Sequence, residues 1–207
     1  MTVDLVRLQV SIDRAHHSGY LVRKMRTQDA EDIARVHALV WREAYVDLMP
    51  ADFLAAMDIQ TSTGRWREFL SNDDGDLQRL AGVSPGGEIV AIAVSGPSRD
   101  EDPPTVLELR SINVLAEHHG TGLADLLMER LIGKQAASLW MLRENVRART
   151  FYETYGLQPD GAAKVNDHTS RAHLRLWPAK RTRRGLHKQT RPARPRSPPH
   201  TARRPHN

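Results

Sequence analysis

The chain has 207 residues, enough for one α/β domain of ordinary size with tails and too few for two comfortable domains, so a single active site is sought. It contains no cysteine, which excludes a disulfide framework, a thiolate metal site and a cysteine nucleophile together. The formal charge of +5 belongs to the end of the chain: residues 178–207 hold ten of the thirty Lys and Arg and no Asp or Glu, leaving twenty basic against twenty-five acidic residues elsewhere.

Residues 1–19 carry one weak apolar stretch, Leu5 to Ile12, and read as an added strand or a loose arm in an N-terminal extension. Tyr20 to Met25 reads as a strand leading to Thr27, an N-cap with Asp29 and Glu31 in the first turn. The helix that follows runs to about Tyr45, and its spacing predicts a buried stripe of Ile33, Val36, Val40 and Ala44. Pro50 to Met57 reads as a second short helix and Thr63–Leu70 as a third, followed by a turn at Asn72–Asp76. Leu77–Val83 and Glu88–Val94 form a hairpin across Ser84-Pro85-Gly86-Gly87, the second strand being continuously apolar as a central strand should be.

Ser98–Pro104 is a polar loop, and Val106–Val114 is the most informative strand. Its apolar positions are odd-numbered at Leu107 and Leu109 but even-numbered at Ile112 and Val114, and a regular strand cannot bury both sets on one face. A bulge near Arg110–Ser111 corrects the phase and splays the strand from its neighbour, leaving backbone groups free for a ligand. After Gly120–Gly122 a helix presents Leu123, Leu126, Leu127 and Leu131 on one stripe, with Asp125 largely off it. Ser138–Leu142 is a strand, Val146–Tyr155 a helix stopped by Gly156, and Ala172–Trp177 the last strand. Strands first, then strand-helix-strand-helix-strand, imply an α/β fold: a mixed, twisted, largely antiparallel sheet with helices on both faces.

Two segments carry candidate chemistry. Val114 to Ala124 joins a strand to a helix through His119-Gly120-Thr121-Gly122-Leu123-Ala124, where glycines allow close backbone approach and free amides at the helix start favour an anionic phosphate. Taken alone the turn is a weak signal. It is not a P-loop, since no Gly-Lys-Ser/Thr follows, and it lacks the third glycine of a dinucleotide-binding fingerprint. The second segment, Leu139 to Leu157, adds Asn145, Ala148, Phe151, Tyr152 and Gly156 in fixed spacing.

Together, in this order, the two segments resemble the general-amine N-acetyltransferase (GNAT) superfamily, which carries Gln/Arg-x-x-Gly-x-Gly/Ala after a bulged strand and then a strand, an Asn and Ala-x-x-Phe-Tyr-x-x-x-Gly. The resemblance covers residues 20–178, strongly over 106–161, and makes 20–178 an N-acetyltransferase domain with 179–207 as a basic Pro/Arg-rich tail. It implies an acyl-CoA-dependent N-acyltransferase that uses acetyl-CoA as co-substrate and no metal. By the resemblance, the amides of Ile112 and Val114 pair with the pantetheine arm, His119, Gly120, Thr121, Gly122, Leu123 and Ala124 wrap the pyrophosphate, and Asn145 contacts the cofactor near its acetyl end. Tyr152 protonates the departing thiolate, a task for a group that holds its proton at neutral pH; helical spacing alone makes it a packing aromatic beside Phe151, with Tyr155 a packing residue too. Glu108 is either a water-mediated general base or an edge carboxylate paired with Arg110. Trp41 and Tyr45 fall in the acceptor-side helical region, with core packing as their other reading.

His119 stands where the superfamily has Gln or Arg, so one phosphate contact is weaker or pH-dependent. His118 and His119, adjacent and without a third ligand, are not a metal site. The tail reads as a solvated disordered extension, its competing reading being a nucleic-acid or acidic-partner arm; no aromatic interleaves its charges, which weighs against nucleic acid. No apolar run approaches the roughly 20 residues that span a bilayer, and no secretory pattern opens the chain, so the expected setting is cytoplasmic with no membrane partner. The expected reaction is direct attack of a primary amine, on a small molecule or on a protein lysine or N-terminus, and a homodimer would be unsurprising by the resemblance. The competing class is a non-catalytic scaffold that holds acyl-CoA as a ligand.

Overall fold

The computed structural model of the chain describes residues 4–46, 52, 54, 57–72, 74–166 and 171–178. Seven strands form one sheet in the order β1-β2-β3-β4-β5-β7-β6: β1 (Leu21–Lys24), β2 (Gln78–Val83), β3 (Ile89–Pro97), β4 (Leu107–Val114), β5 (Ala137–Leu142), β6 (Leu157–Asn166) and β7 (Arg171–Pro178). Every neighbouring pair is antiparallel except β4 and β5. The helices are α1 (Leu5–His17), α2 (Ala30–Tyr45), α3 (Ile59–Ser71), α4 (Leu123–Leu131) and α5 (Val146–Glu153). Among the described residues no helix is long and apolar enough to cross a membrane.

The central strand β3 is buried at every position from Ile89 to Gly96, which requires cover on both faces. One face meets α4 through small residues: a Cβ on Gly82 would crowd the Ala91 Cβ and the Leu123 side chain, at 2.9 and 3.0 Å. The other face, with Val94, looks toward His37 of α2 and Trp66 of α3. The buried stripe of α2 is Ile33, Val36 and Val40 reinforced by Ala30, Ala34 and Ala38; Ala44, expected on it, is exposed. Asp29, not Thr27, organises the start of this helix. Its carboxylate accepts from the Arg26 amide at 2.7 Å and from both Arg23 guanidinium nitrogens at 2.6 and 3.0 Å.

The bulge expected near Arg110–Ser111 is present. Val94 pairs with Ser111 and Ser95 with Leu109, so Arg110 has no partner across the strand pair. This extra residue brings Leu109, Ile112 and Val114 to the α4 face and sets Glu108 and Ser111 on the α2 face. Pairing of β4 with β5 extends only from Leu107–Ala137 to Leu109–Leu139, and beyond it the strands part.

Two expectations change. The first segment is neither a strand nor a loose arm: Leu5–His17 is a helix capped by the Asp4 side chain on the Arg7 amide and packed against α4. The edge strand β6 was not expected, because Pro159-Asp160-Gly161 has the composition of a turn; here those residues sit in an irregularity of the pairing with β7, where an edge strand tolerates proline. The helix expected at Pro50–Met57 and the tail at 179–207 lie largely or wholly outside the described residues.

The close seat of α1 makes a direct prediction. Gly122 has φ +90°, and a Cβ there would overlap the Ser11 carbonyl oxygen of α1. Gly122→Ala should therefore dislodge α1 and lower stability by about 2 kcal/mol or more, read by urea unfolding and by faster amide exchange across residues 5–17.

Candidate functional site

The glycine turn is built by a short 3₁₀ turn at Ala116–His118, then Gly120 at φ +75° and Gly122 at φ +90°, which opens α4 with no side-chain cap of its own. Thr121 partly fills that role, its hydroxyl accepting from the Leu123 amide at 3.3 Å and donating to the His118 carbonyl at 2.8 Å. The amides of Ala124 and Asp125 remain at the positive end of the helix dipole. A Cβ on Gly120 would meet nothing within 4 Å, so the turn is open at Gly120 and closed by α1 at Gly122.

His119 is exposed, and its ring turns back onto β4. Its Nε2 lies 2.9 Å from the Val114 carbonyl, which fixes the proton on that nitrogen, and partial burial of the ring with nearby Arg147 lowers its pKa. Another cation reaches the turn: the Arg14 guanidinium of α1 donates to the Gly120 carbonyl at 3.1 Å.

On β4, the Leu115 amide donates to Val90 O at 3.0 Å. Strand alternation then directs the amides of Ser111 and Asn113 toward β3 and those of Ile112 and Val114 toward the side where β5 has departed. Beyond the end of β5, Asn145 caps α5, its Oδ1 accepting from the Ala148 amide at 3.0 Å. Tyr152 of α5 is buried and adjoins Tyr45 and Phe151; burial, chiefly, raises its pKa well above 10, so it is protonated at neutral pH. Tyr155, expected only to pack, donates from its hydroxyl to Asp125 Oδ1 at 2.5 Å. Asp125 lies buried rather than off the stripe of α4, and its other oxygen accepts from Ser11 of α1.

Trp41 and Tyr45 belong to an aromatic row on α2. His37, Trp41 and Tyr45 follow at four-residue steps, with ring centroids 5.4 and 4.9 Å apart, and His37 also meets Trp66 of α3 at 5.8 Å. Trp41 and Tyr45 pack on Leu54 and Leu142 as well, in keeping with the packing reading. Eight helical residues carry the row about 12 Å, from a cavity of about 360 Å³ beside His37 to the neighbourhood of Tyr152. Val94 and Ser111, partners across the strands next to the bulge, line that cavity.

Glu108 pairs with Arg99 and not with Arg110. The Arg99 amide donates to Oε2 at 2.9 Å, its Nε to the same oxygen at 3.3 Å, and its terminal nitrogen to Oε1 at 2.5 Å. Glu108 is 1% exposed, and both of its oxygens accept from Arg99. His37, Arg99, Asp125 and the whole of α1 were not legible as site residues. Their sequence neighbourhoods are ordinary helix and loop, and only the fold brings them here.

Burial holds His37 at a pKa of about 4, below its ordinary 6.5. The unfolded chain takes up this proton between those values and the folded chain does not, so stability falls as pH drops from 6.5 toward 4, by up to about 3 kcal/mol. His37→Gln should flatten that part of the stability-pH curve, measured by urea unfolding at several pH values; an unchanged slope would show that His37 titrates freely.

A family model described as the acetyltransferase (GNAT) family matches residues 33–157. The chain is 25% identical over 173 residues to the uncharacterized N-acetyltransferase YuaI of Bacillus subtilis, covering 76% of this chain and 92% of that one. It is 27% identical over 142 residues to an uncharacterized N-acetyltransferase of Mycobacterium tuberculosis, covering 64% and 85%. Among solved structures, the PaiA N-acetyltransferase of Thermoplasma acidophilum in complex with coenzyme A superposes with a TM-score of 0.58 over 76% of this chain and 98% of that one, at 13% identity.

Proposed function

The chain belongs to the acetyltransferase (GNAT) family and is an N-acetyltransferase, and we propose that it transfers an acetyl group from acetyl-CoA directly to a primary amine at the opening between β4 and β5. The observation that carries this reading is the end of β4–β5 pairing at Leu109–Leu139, which leaves the Ile112 and Val114 amides directed into the gap. Acetyl-CoA supplies the activated thioester. Ile112 and Val114 offer donors to the amide-bearing pantetheine arm, and the turn leading into α4, open at Gly120, offers backbone amides to the pyrophosphate. Arg14 adds positive charge that the neutral His119 ring does not.

Tyr152 is assigned as the proton donor to the departing thiolate, because burial keeps it protonated. Asn145 caps the start of α5, and so positions Tyr152 two turns further on. With no cysteine in the chain, direct attack is preferred over a thioester-linked enzyme, and proximity supplies most of the rate. In this reading Glu108 anchors Arg99, and the amine loses its proton through water.

Tyr152→Phe should lower kcat about 100-fold while moving the acetyl-CoA dissociation constant no more than about twofold, measured by thiol release and by titration calorimetry. Gly120→Trp, which projects into open space, should abolish acetyl-CoA binding in a protein that still folds, with about 1–2 kcal/mol of stability lost to the φ +75° turn. A wild-type protein that binds acetyl-CoA and acetylates no amine would instead be a scaffold.

A further inference from the structure

The cavity beside His37 is lined by Arg65 of α3, Arg99 of the loop after β3 and Arg110 of the bulge, with Trp66 and Phe69 as its apolar wall. Among the described residues no Asp or Glu lines it. The buried carboxylate beside it, Glu108, is already held by Arg99 on both oxygens. Arg65 forms none of the ion pairs seen among the described side chains. Arg110 donates to the Pro97 carbonyl at 3.1 Å, and its Nε is buried without a hydrogen-bond partner. Burial first and then the neighbouring Arg99 disfavour its charge, against the pull of Glu108 and Asp74, and Arg79 adds a smaller disfavouring effect. Arg79 stacks on the outer edge of the same wall, 4.6 Å from the Phe69 ring centre.

Crowded guanidinium groups repel one another, and the arrangement is relieved by an anion. A polycationic acceptor would meet the opposite. The bulge that frees Arg110 from the strand pair also sets Ser111 against the cavity, immediately before the Ile112 amide. The volume, about 360 Å³, suits a small molecule.

We propose that the acceptor is a small primary amine carrying an anionic group, a carboxylate or a phosphate, which Arg65 and Arg110 receive while the amine points along the aromatic row toward Tyr152. The inference rests on the acetyl-transfer reading. The anion serves as a handle and takes no part in bond making: the amine nitrogen bonds to the acetyl carbon, the carbon-sulfur bond breaks, and the proton lost by nitrogen balances that gained by the thiolate.

The test uses the full chain with acetyl-CoA and amines matched in length: 4-aminobutyrate, 3-aminopropyl phosphate, butylamine and 1,4-diaminobutane. An anionic amine should exceed 1,4-diaminobutane in kcat/KM at least about tenfold, the equivalent of one charge contact of about 1.4 kcal/mol. Which of the two anionic amines is better assigns carboxylate or phosphate. Arg65→Glu should erase the preference while leaving acetyl-CoA affinity intact, and Arg110→Gln should reduce it. Equal or better use of 1,4-diaminobutane, or a preference indifferent to Arg65→Glu, would overturn the inference and leave acetyl transfer standing. If acetyl-CoA binds and no amine turns over, the transfer reading fails instead; calorimetric titration of the same amines into the CoA complex then decides the anion question by itself.

Discussion

One extra residue in β4 is the constraint from which the site follows. With Arg110 unpaired, the first half of the strand buries Leu109 and the second half buries Ile112 and Val114 on the same face. Without the bulge, one of these sets would turn to the opposite side, a cost of several buried aliphatic side chains at roughly 1.5–3 kcal/mol each. The phase change and the parting of β4 from β5 are thus held in place by the core. The backbone groups that the parting exposes are maintained by packing on the far side of the strand, so an open site needs no ligand to keep its shape.

The glycine turn is supported from an unexpected quarter. Ser11 and Tyr155 meet on the buried Asp125 carboxylate, joining α1, α4 and α5, and Arg14 reaches the Gly120 carbonyl. A buried carboxylate with both oxygens satisfied fixes the mutual positions of three helices in a way that apolar contact does not. The turn residues divide accordingly. Gly122 is needed for close approach to α1, whereas Gly120 faces open space, and the two glycines of one motif serve different ends.

Much of this was legible in the sequence where a periodicity had to break. The odd-to-even shift between Leu109 and Ile112 located the bulge, and the Gly120–Gly122 pair before a leucine stripe located the helix start. Tyr152 and Asn145 were singled out by motif spacing, although the capping role of Asn145 shows only in the folded chain. What stayed hidden depends on contacts remote in sequence. Arg99 is nine residues from Glu108 across a polar loop, Ser11 is 114 residues from Asp125, and neither neighbourhood announces a partner. β6 was concealed because Pro159, Asp160 and Gly161 signal a turn, and an edge position lets them interrupt a strand without ending it.

The central claim is that the gap left by β4 and β5, together with the turn at Gly120, forms the acyl-CoA site. Amide hydrogen exchange resolved to single residues, with and without acetyl-CoA, tests it most directly. The account predicts that Ile112 and Val114 exchange faster than Ser111 and Asn113 in the free protein, and that acetyl-CoA slows Ile112, Val114 and residues 120–124. Protection that spares both segments while acetyl-CoA is bound would contradict it.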